Sequence, residues 1–148
     1  MLLQDKVALV TGGSRGIGRA ICVALGNAGA RVALTYREQD GAARAVVEAI
    51  QQEGGAALAL KMDVRDRTSI RAALEVCRDE FGGVDVLVNN AGINNPTDFD
   101  QVTEDDWDEI LAVNLKGPFL CSQEAMPLLR ARGGGSIVNI GSVSGQDG

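Results

Sequence analysis

Thr11-Gly12-Gly13-Ser14-Arg15-Gly16-Ile17-Gly18 is the stretch whose residue types and spacing point most directly to chemistry. A residue without Cβ at Gly12 permits a tight turn. One at Gly16 permits close approach of backbone to a pyrophosphate, and one at Gly18 lets the next helix pack on the preceding strand. The helix start then offers N–H groups and a partial positive charge to phosphate. Ser14, Arg15 and Ile17 fill the loop between these glycines and are candidate contacts with them. The spacing is T-G-x-x-x-G-x-G, and taken alone it also suits a plain strand–helix turn. No Gly-Lys-Ser/Thr follows, which excludes a P-loop.

Three further places belong with this loop. Tyr36-Arg37 ends the second apolar run. A carboxylate there would hold the 2′-hydroxyl of NAD, whereas an Arg accommodates the 2′-phosphate of NADP. Arg37, with Arg15 as a second cation, favours NADP(H), and NAD(H) is the alternative. Glu38 stands near the position of an NAD-type acid, and it is placed just past the strand, facing solvent. Asp63-Val64 ends the third run, where Asp63 is either an acceptor for an adenine amino group or a turn residue. Asn89-Asn90-Ala91-Gly92 ends the fourth. Amides there can tie strand ends together, while Ala91 and Gly92 leave room for a ribose beside Asn90.

These groups need a scaffold, and the chain has the length for one domain. Its 148 residues hold 14 Lys or Arg against 20 Asp or Glu, a net charge of −6. That balance argues against a nucleic-acid partner, which asks for a basic stripe. The absence of His excludes a Ser-His-Asp triad and any His-ligated metal from these residues, and no metal site is expected. Cys22, Cys77 and Cys121 are widely spaced, form no CxxC pair and read as reduced core residues. No apolar stretch approaches the ~18 residues of a membrane span. With no leader pattern at the start, a cytoplasmic protein is the expectation.

Short apolar runs alternate with helical patterns. Strands are expected at 7–10, 31–36, 57–62, 84–88 and 136–140. The first helix is expected over 16–28, with Ile17, Ile21, Ala24, Leu25 and Ala28 on its apolar face. The second spans 40–53, with Ala43, Val46, Val47 and Ile50 inward. The third follows Asp66 as N-cap and bears Ile70, Ala73, Leu74 and Cys77. Thr103 caps a long fourth helix, with Trp107, Ile110, Leu111 and Asn114 on one face. Pro118 and Pro127 predict a bend or break within it. Continuous apolar strands alternating with helices imply an α/β fold, a doubly wound parallel sheet of order 3-2-1-4-5.

Together TGGSRGIG, the Asp63-Val64 pair, NNAG, Asn114 in VNLKG and Ser142 in IGSVSG resemble the short-chain dehydrogenase/reductase family. The similarity runs along the whole chain and is nearest to 3-oxoacyl-acyl-carrier-protein reductase-like and related carbonyl or sugar dehydrogenase members. It implies a Rossmann fold. It implies pyrophosphate contacts at Gly12, Gly16 and Gly18, adenine contacts at Asp63 and Val64, and ribose and nicotinamide contacts at Asn90, Ala91 and Gly92. Asn114 would be the helix-borne member of the catalytic tetrad, and Ser142 would hydrogen-bond the substrate oxygen. Without the resemblance, Asn114 reads as a helix-surface amide and Ser142 as a strand-end turn residue.

The family's Tyr-x-x-x-Lys pair should follow Ser142 by about a dozen residues, and residues 1–148 contain none. They read as a single dinucleotide-binding domain, truncated after strand five and lacking the C-terminal third expected of the family. The resemblance implies an NADP(H)-dependent oxidoreductase acting on a small carbonyl or secondary alcohol, with this chain inactive or nearly so by itself. The alternative is a non-catalytic NADP-binding fragment, or an assembly module needing a complementing chain. A methyltransferase is disfavoured by NNAG and by the missing acid after strand two. An uncovered fifth strand and long helix predict a homo-oligomer.

Overall fold

Val7–Val10 forms the central strand, β1, because its four apolar residues can be covered on both faces. All four are at most 1% exposed. The computed structural model describes residues 1–143. Around β1 lie β2 (Arg31–Tyr36), β3 (Ala57–Lys61), β4 (Val86–Asn89) and β5 (Ser136–Asn139). The order is β3-β2-β1-β4-β5 and every pairing is parallel, as the alternating pattern predicts. Strand ends differ from expectation by a residue or two: β4 starts at Val86 rather than Val84, and β5 stops at Asn139.

The period-two alternation of β1 divides the core. Val7 and Leu9 face α3 (Arg67–Phe81) and α5 (Gly117–Ala131), meeting Ile70, Leu74, Leu120 and Ala125. Ala8 and Val10 face α1 (Gly16–Asn27) and α2 (Asp40–Gln52), meeting Cys22, Val46 and Ile50. Asp66 caps α3 by accepting the Thr68 N–H, as expected. Glu124 on α5 clasps Arg67 and Arg71 on α3. Cys22, Cys77 and Cys121 are free thiols, and burial pushes each up to about 12.

The structure corrects two helical expectations. On α1 the buried residues are Gly18, Cys22 and Gly26, whereas Ile17 is 65% exposed. Close approach decides this: a Cβ on Gly26 would lie 2.9 Å from Ile50 Cγ2. Small residues therefore face inward, and Ile21 and Leu25 pack only at the margin. Secondly, neither proline breaks the fourth helical stretch. Helix α4 (Glu104–Leu111) passes through a π-helical turn at Ala112–Lys116 into α5. Pro118 sits in the first turn of α5, directly after the π-helical turn, and Pro127 lies inside that helix. Helix α4 opens with a capping box: Thr103 Oγ1 accepts the Asp106 N–H and Asp106 returns the bond to the Thr103 N–H.

Candidate functional site

The carboxyl ends of β1 to β4 open into a cleft of about 500 Å³. Right-handed crossovers to opposite faces on either side of β1 leave such a crevice between β1 and β4. Gly12, Ser14, Arg15, Gly16, Ile17 and Gly18 line it from the loop between β1 and α1. Tyr36 and Arg37 line it after β2, Asp63 and Val64 after β3, and Asn90, Ala91 and Gly92 after β4. All thirteen residues singled out for cofactor contact thus share one cleft. Asn114 and Ser142 are not among its lining residues.

Geometry explains the glycines individually. Gly12 turns at φ +65°, where a side chain would be strained. A Cβ on Gly18 would lie 2.1 Å from the Gly12 carbonyl oxygen and 2.5 Å from Asn90 Nδ2. Gly16 has nothing within 4 Å on its Cβ side, so its backbone borders open space. Helix α1 begins there with no side-chain cap and no acid in its first turn. Its leading N–H groups and the positive end of its dipole therefore face the cleft.

Thr11 joins the loop to the NNAG turn. Its Oγ1 accepts both the Asn90 and Ala91 N–H groups at 3.0 Å. Asn90 Nδ2 donates in return to the Thr11 and Gly12 carbonyls at 3.1 Å. Thr35, buried on β2, accepts the Gly12 N–H at 3.4 Å and borders the same cleft. The sequence reading assigned no role to Thr11 or Thr35. Two threonines in otherwise apolar buried runs were the available signal. Neighbouring Asn89 donates to Ser122 Oγ at 3.1 Å and to Asn139 Oδ1 at 2.9 Å, tying β4 to α5 and β5.

The charged groups are arranged by their nearest partners. Arg15 and Arg37 are exposed at the cleft, and Arg37 pairs with Glu38 at 3.3 Å. Glu38 does lie past the strand and in solvent, yet it also borders the cleft. The Tyr36 hydroxyl donates to Asp40 Oδ1 at 2.8 Å, which raises its pKa by holding the proton in place. Asp63 receives the Arg65 guanidinium, which lowers its carboxyl below the usual range.

Asn114 lies in the π-helical turn and is exposed. Its Oδ1 accepts the Ile93 N–H and its Nδ2 donates to the Ile93 carbonyl, each at 2.8 Å. The amide thereby mimics a strand neighbour and holds the chain leaving Gly92. Ser142 is exposed just beyond β5. Ser144 and Gly145 of its motif lie outside the described residues.

Residues 6–148 match the short chain dehydrogenase family. The chain is 41% identical over 142 residues to a 3-oxoacyl-[acyl-carrier-protein] reductase FabG of Staphylococcus aureus (strain Mu50), covering 96% of this chain and 58% of that protein. It is 40% identical over 146 residues to the 3-oxoacyl-[acyl-carrier-protein] reductase of Synechocystis, covering 99% and 59%. Among solved structures, a short chain dehydrogenase from Burkholderia cenocepacia J2315 in complex with NADP superposes with a TM-score of 0.90, at 44% identity, covering 96% of this chain and 57% of that one. A dehydrogenase/reductase from Sinorhizobium meliloti 1021 superposes with a TM-score of 0.91, at 44% identity, covering 95% and 55%. The chain thus spans less than three-fifths of the length of these relatives. On its sheet order, its glycine loop and this match over nearly every residue, the chain belongs to the short-chain dehydrogenase family.

Proposed function

We propose that residues 1–148 form the dinucleotide-binding part of an NADP(H)-dependent oxidoreductase that interconverts a carbonyl and a secondary alcohol. The observation that carries the reading is the cleft itself. An uncapped helix N-terminus, open backbone at Gly16 and two exposed arginines converge on it. This donor set fits a dinucleotide carrying a 2′-phosphate. Gly12, Gly16 and the first turn of α1 would hold the pyrophosphate. Arg15 and Arg37 would grip the 2′-phosphate, with Arg37 leaving Glu38 to do so. Ser14 and Ile17 would flank the loop contacts, with Tyr36 beside the adenosine ribose. Asp63 and Val64 would hold the adenine, and Asn90, Ala91 and Gly92 the second ribose. A bound nicotinamide supplies or accepts the hydride.

The NADP bound to the Burkholderia relative supports this cofactor, and NAD(H) is the weaker alternative. The reductase names of the bacterial relatives support a 3-oxoacyl-type carbonyl substrate. In this reading Ser142 hydrogen-bonds the substrate oxygen. Asn114 serves as the helix-borne member of the catalytic tetrad, and its amide also holds the chain after Gly92 through Ile93. The 148 residues contain no Tyr-x-x-x-Lys pair to exchange the substrate proton, so assayed as they stand they turn over little or nothing. A general acid is worth about 10²–10⁴-fold.

Equilibrium titration with NADPH and NADH tests the cofactor assignment. NADPH is expected to bind the tighter. Arg15→Ala and Arg37→Ala are each expected to weaken NADPH about tenfold or more while changing NADH little. Equal binding of both nucleotides, unaffected by either substitution, would overturn it.

We further propose that a second copy of this chain covers its exposed apolar helix surface. Trp107, Leu111, Leu115 and Phe119 recur every fourth residue from α4 into α5 and are 61%, 37%, 67% and 57% exposed. Val138 on β5 adds another 44% exposed apolar side chain. Burial of such a patch drives association. Sedimentation velocity should show a dimer or larger species that Leu115→Glu dissociates; a compact monomer throughout would refute it. No helix among the described residues is long and apolar enough to cross a membrane. Our reading places the protein in the cytoplasm.

A further inference from the structure

Arg65 lies two residues past Asp63 and directs its backbone N–H, Nε and Nη2 to that one carboxylate. Its backbone N–H reaches Asp63 Oδ1 at 2.9 Å. Its Nε reaches Oδ1 at 3.0 Å and Oδ2 at 3.2 Å, and its Nη2 reaches Oδ2 at 2.7 Å. The other end of the guanidinium, Nη1, faces Glu109 Oε1 on α4 at 3.6 Å. The turn carrying both residues is held as well. The Asp63 N–H donates to Ser69 Oγ at 2.9 Å, and the Asp66 N–H to the Asp63 carbonyl at 3.1 Å. The carboxylate is therefore fixed from three directions: by its own turn, by the guanidinium, and through the guanidinium by α4.

Acceptor capacity gives this arrangement a consequence. An ionised carboxylate has about four lone-pair sites. The backbone N–H, Nε–H and Nη2–H of Arg65 occupy three of them. One site is left on this carboxylate, whose residue lines the cleft and whose side chain is part-exposed. Held deprotonated, it accepts one N–H and donates none.

We propose that Arg65 is a positioning residue for nucleotide recognition, locking Asp63 as a single-site acceptor that favours a 6-amino purine over a 6-oxo purine. This rests on the dinucleotide reading of the cleft. A 6-amino group supplies the N–H that the remaining site accepts. A 6-oxo group sets a second acceptor against the carboxylate, and the two repel. Without Arg65 the carboxylate rotates and is hydrated by water. Discrimination then falls, because the acceptor is no longer aimed.

The test uses the full chain and two probes, NADPH and its hypoxanthine counterpart, nicotinamide hypoxanthine dinucleotide phosphate. The unsubstituted chain is expected to favour the adenine form by about tenfold, the scale of one hydrogen bond to a charged group. Arg65→Ala should reduce that ratio to about twofold or less, mainly through weaker NADPH binding. Arg65→Lys keeps the charge without the two-pronged contact and should give an intermediate ratio. It also serves as the readout if the alanine variant does not fold. A purely structural or long-range electrostatic role would weaken both nucleotides alike. An unchanged ratio in either variant therefore overturns the proposal and leaves the dinucleotide reading intact. Failure of the unsubstituted chain to bind either nucleotide removes both.

Discussion

Asp85→Ala is expected to cost the fold about 2–4 kcal/mol, visible as a fall of roughly 5–15 °C in melting temperature. Asp85 lies at the edge of the sheet opposite the cleft, and its side chain is 8% exposed. Its Oδ2 accepts the N–H of fully buried Val7 at 2.8 Å. Arg132, which follows α5, adds Nε to Oδ1 at 3.2 Å and Nη2 to Oδ2 at 3.1 Å. The Asp85 backbone continues the pattern, donating to the Val7 carbonyl and accepting the Ser136 N–H. One residue thus joins β1, β4, β5 and the end of α5. Truncation would strand the Val7 N–H in a dry interior, worth about 1–3 kcal/mol alone. Arg132 is 32% exposed and can regain water, which keeps the estimate below that for a fully buried pair.

The same residue sets an acid limit on stability. Burial by itself raises the Asp85 carboxyl. The Arg132 guanidinium, the Val7 N–H and the Lys6 charge outweigh that, and the net shift is downward. A depressed folded-state pKa means that the unfolded chain binds the proton more tightly. The contribution is therefore fully present above the unfolded value near 4 and is lost as the pH falls through the lower folded value. Urea titrations between pH 7 and pH 3 should show the unsubstituted chain losing stability faster than Asp85→Asn. Parallel pH profiles for the two would mean that Asp85 is not the titrating staple.

Gly18→Ala is the second large effect. The added methyl would sit 2.1 Å from the Gly12 carbonyl oxygen and 2.5 Å from Asn90 Nδ2. Neither neighbour can withdraw cheaply. Gly12 is backbone in a positive-φ turn, and Asn90 Nδ2 is already bonded to the Thr11 and Gly12 carbonyls. The glycine loop and the NNAG turn would have to part. We expect about 1–3 kcal/mol of overpacking strain and a loss of NADPH affinity of at least 100-fold. Gly16→Ala is the control, because its Cβ meets nothing within 4 Å. It should fold with only the modest cost of a side chain at φ +54°, and lose affinity only through crowding at the phosphates. Equal NADPH affinity in Gly18→Ala and the unsubstituted chain, read by calorimetry, would refute the clamp.

Much of the scaffold was legible because its signals are local. A run such as Val-Ala-Leu-Val needs cover on both faces, and Asp66 and Thr103 announce helix starts through bonds reaching two or three residues. Glycines at the end of the first strand mark a turn that only small residues permit. Sequence by itself therefore determined the parallel order 3-2-1-4-5 and picked out thirteen of the residues that share the cleft, though not Thr35.

Tertiary structure decided what depends on distance and on close approach. Hydrophobic periodicity ranked Ile17 as inward, but α1 lies so near Ile50 that Gly18, Cys22 and Gly26 take that face. The prolines suggested a break, yet the irregularity came earlier, as a π-helical turn. There Asn114 finds its partner 21 residues back, at Ile93. Arg132 and Asp85 are 47 residues apart and carry no pattern that links them before the chain folds. Nor does the Arg65–Asp63 pair reveal its third member, Glu109, until the fold brings α4 within reach of the turn after β3. Local residue chemistry is enough to specify turns, caps and strand order. Which polar groups meet is settled only when the packed layers bring remote segments within hydrogen-bond reach and exclude the water that would otherwise satisfy them.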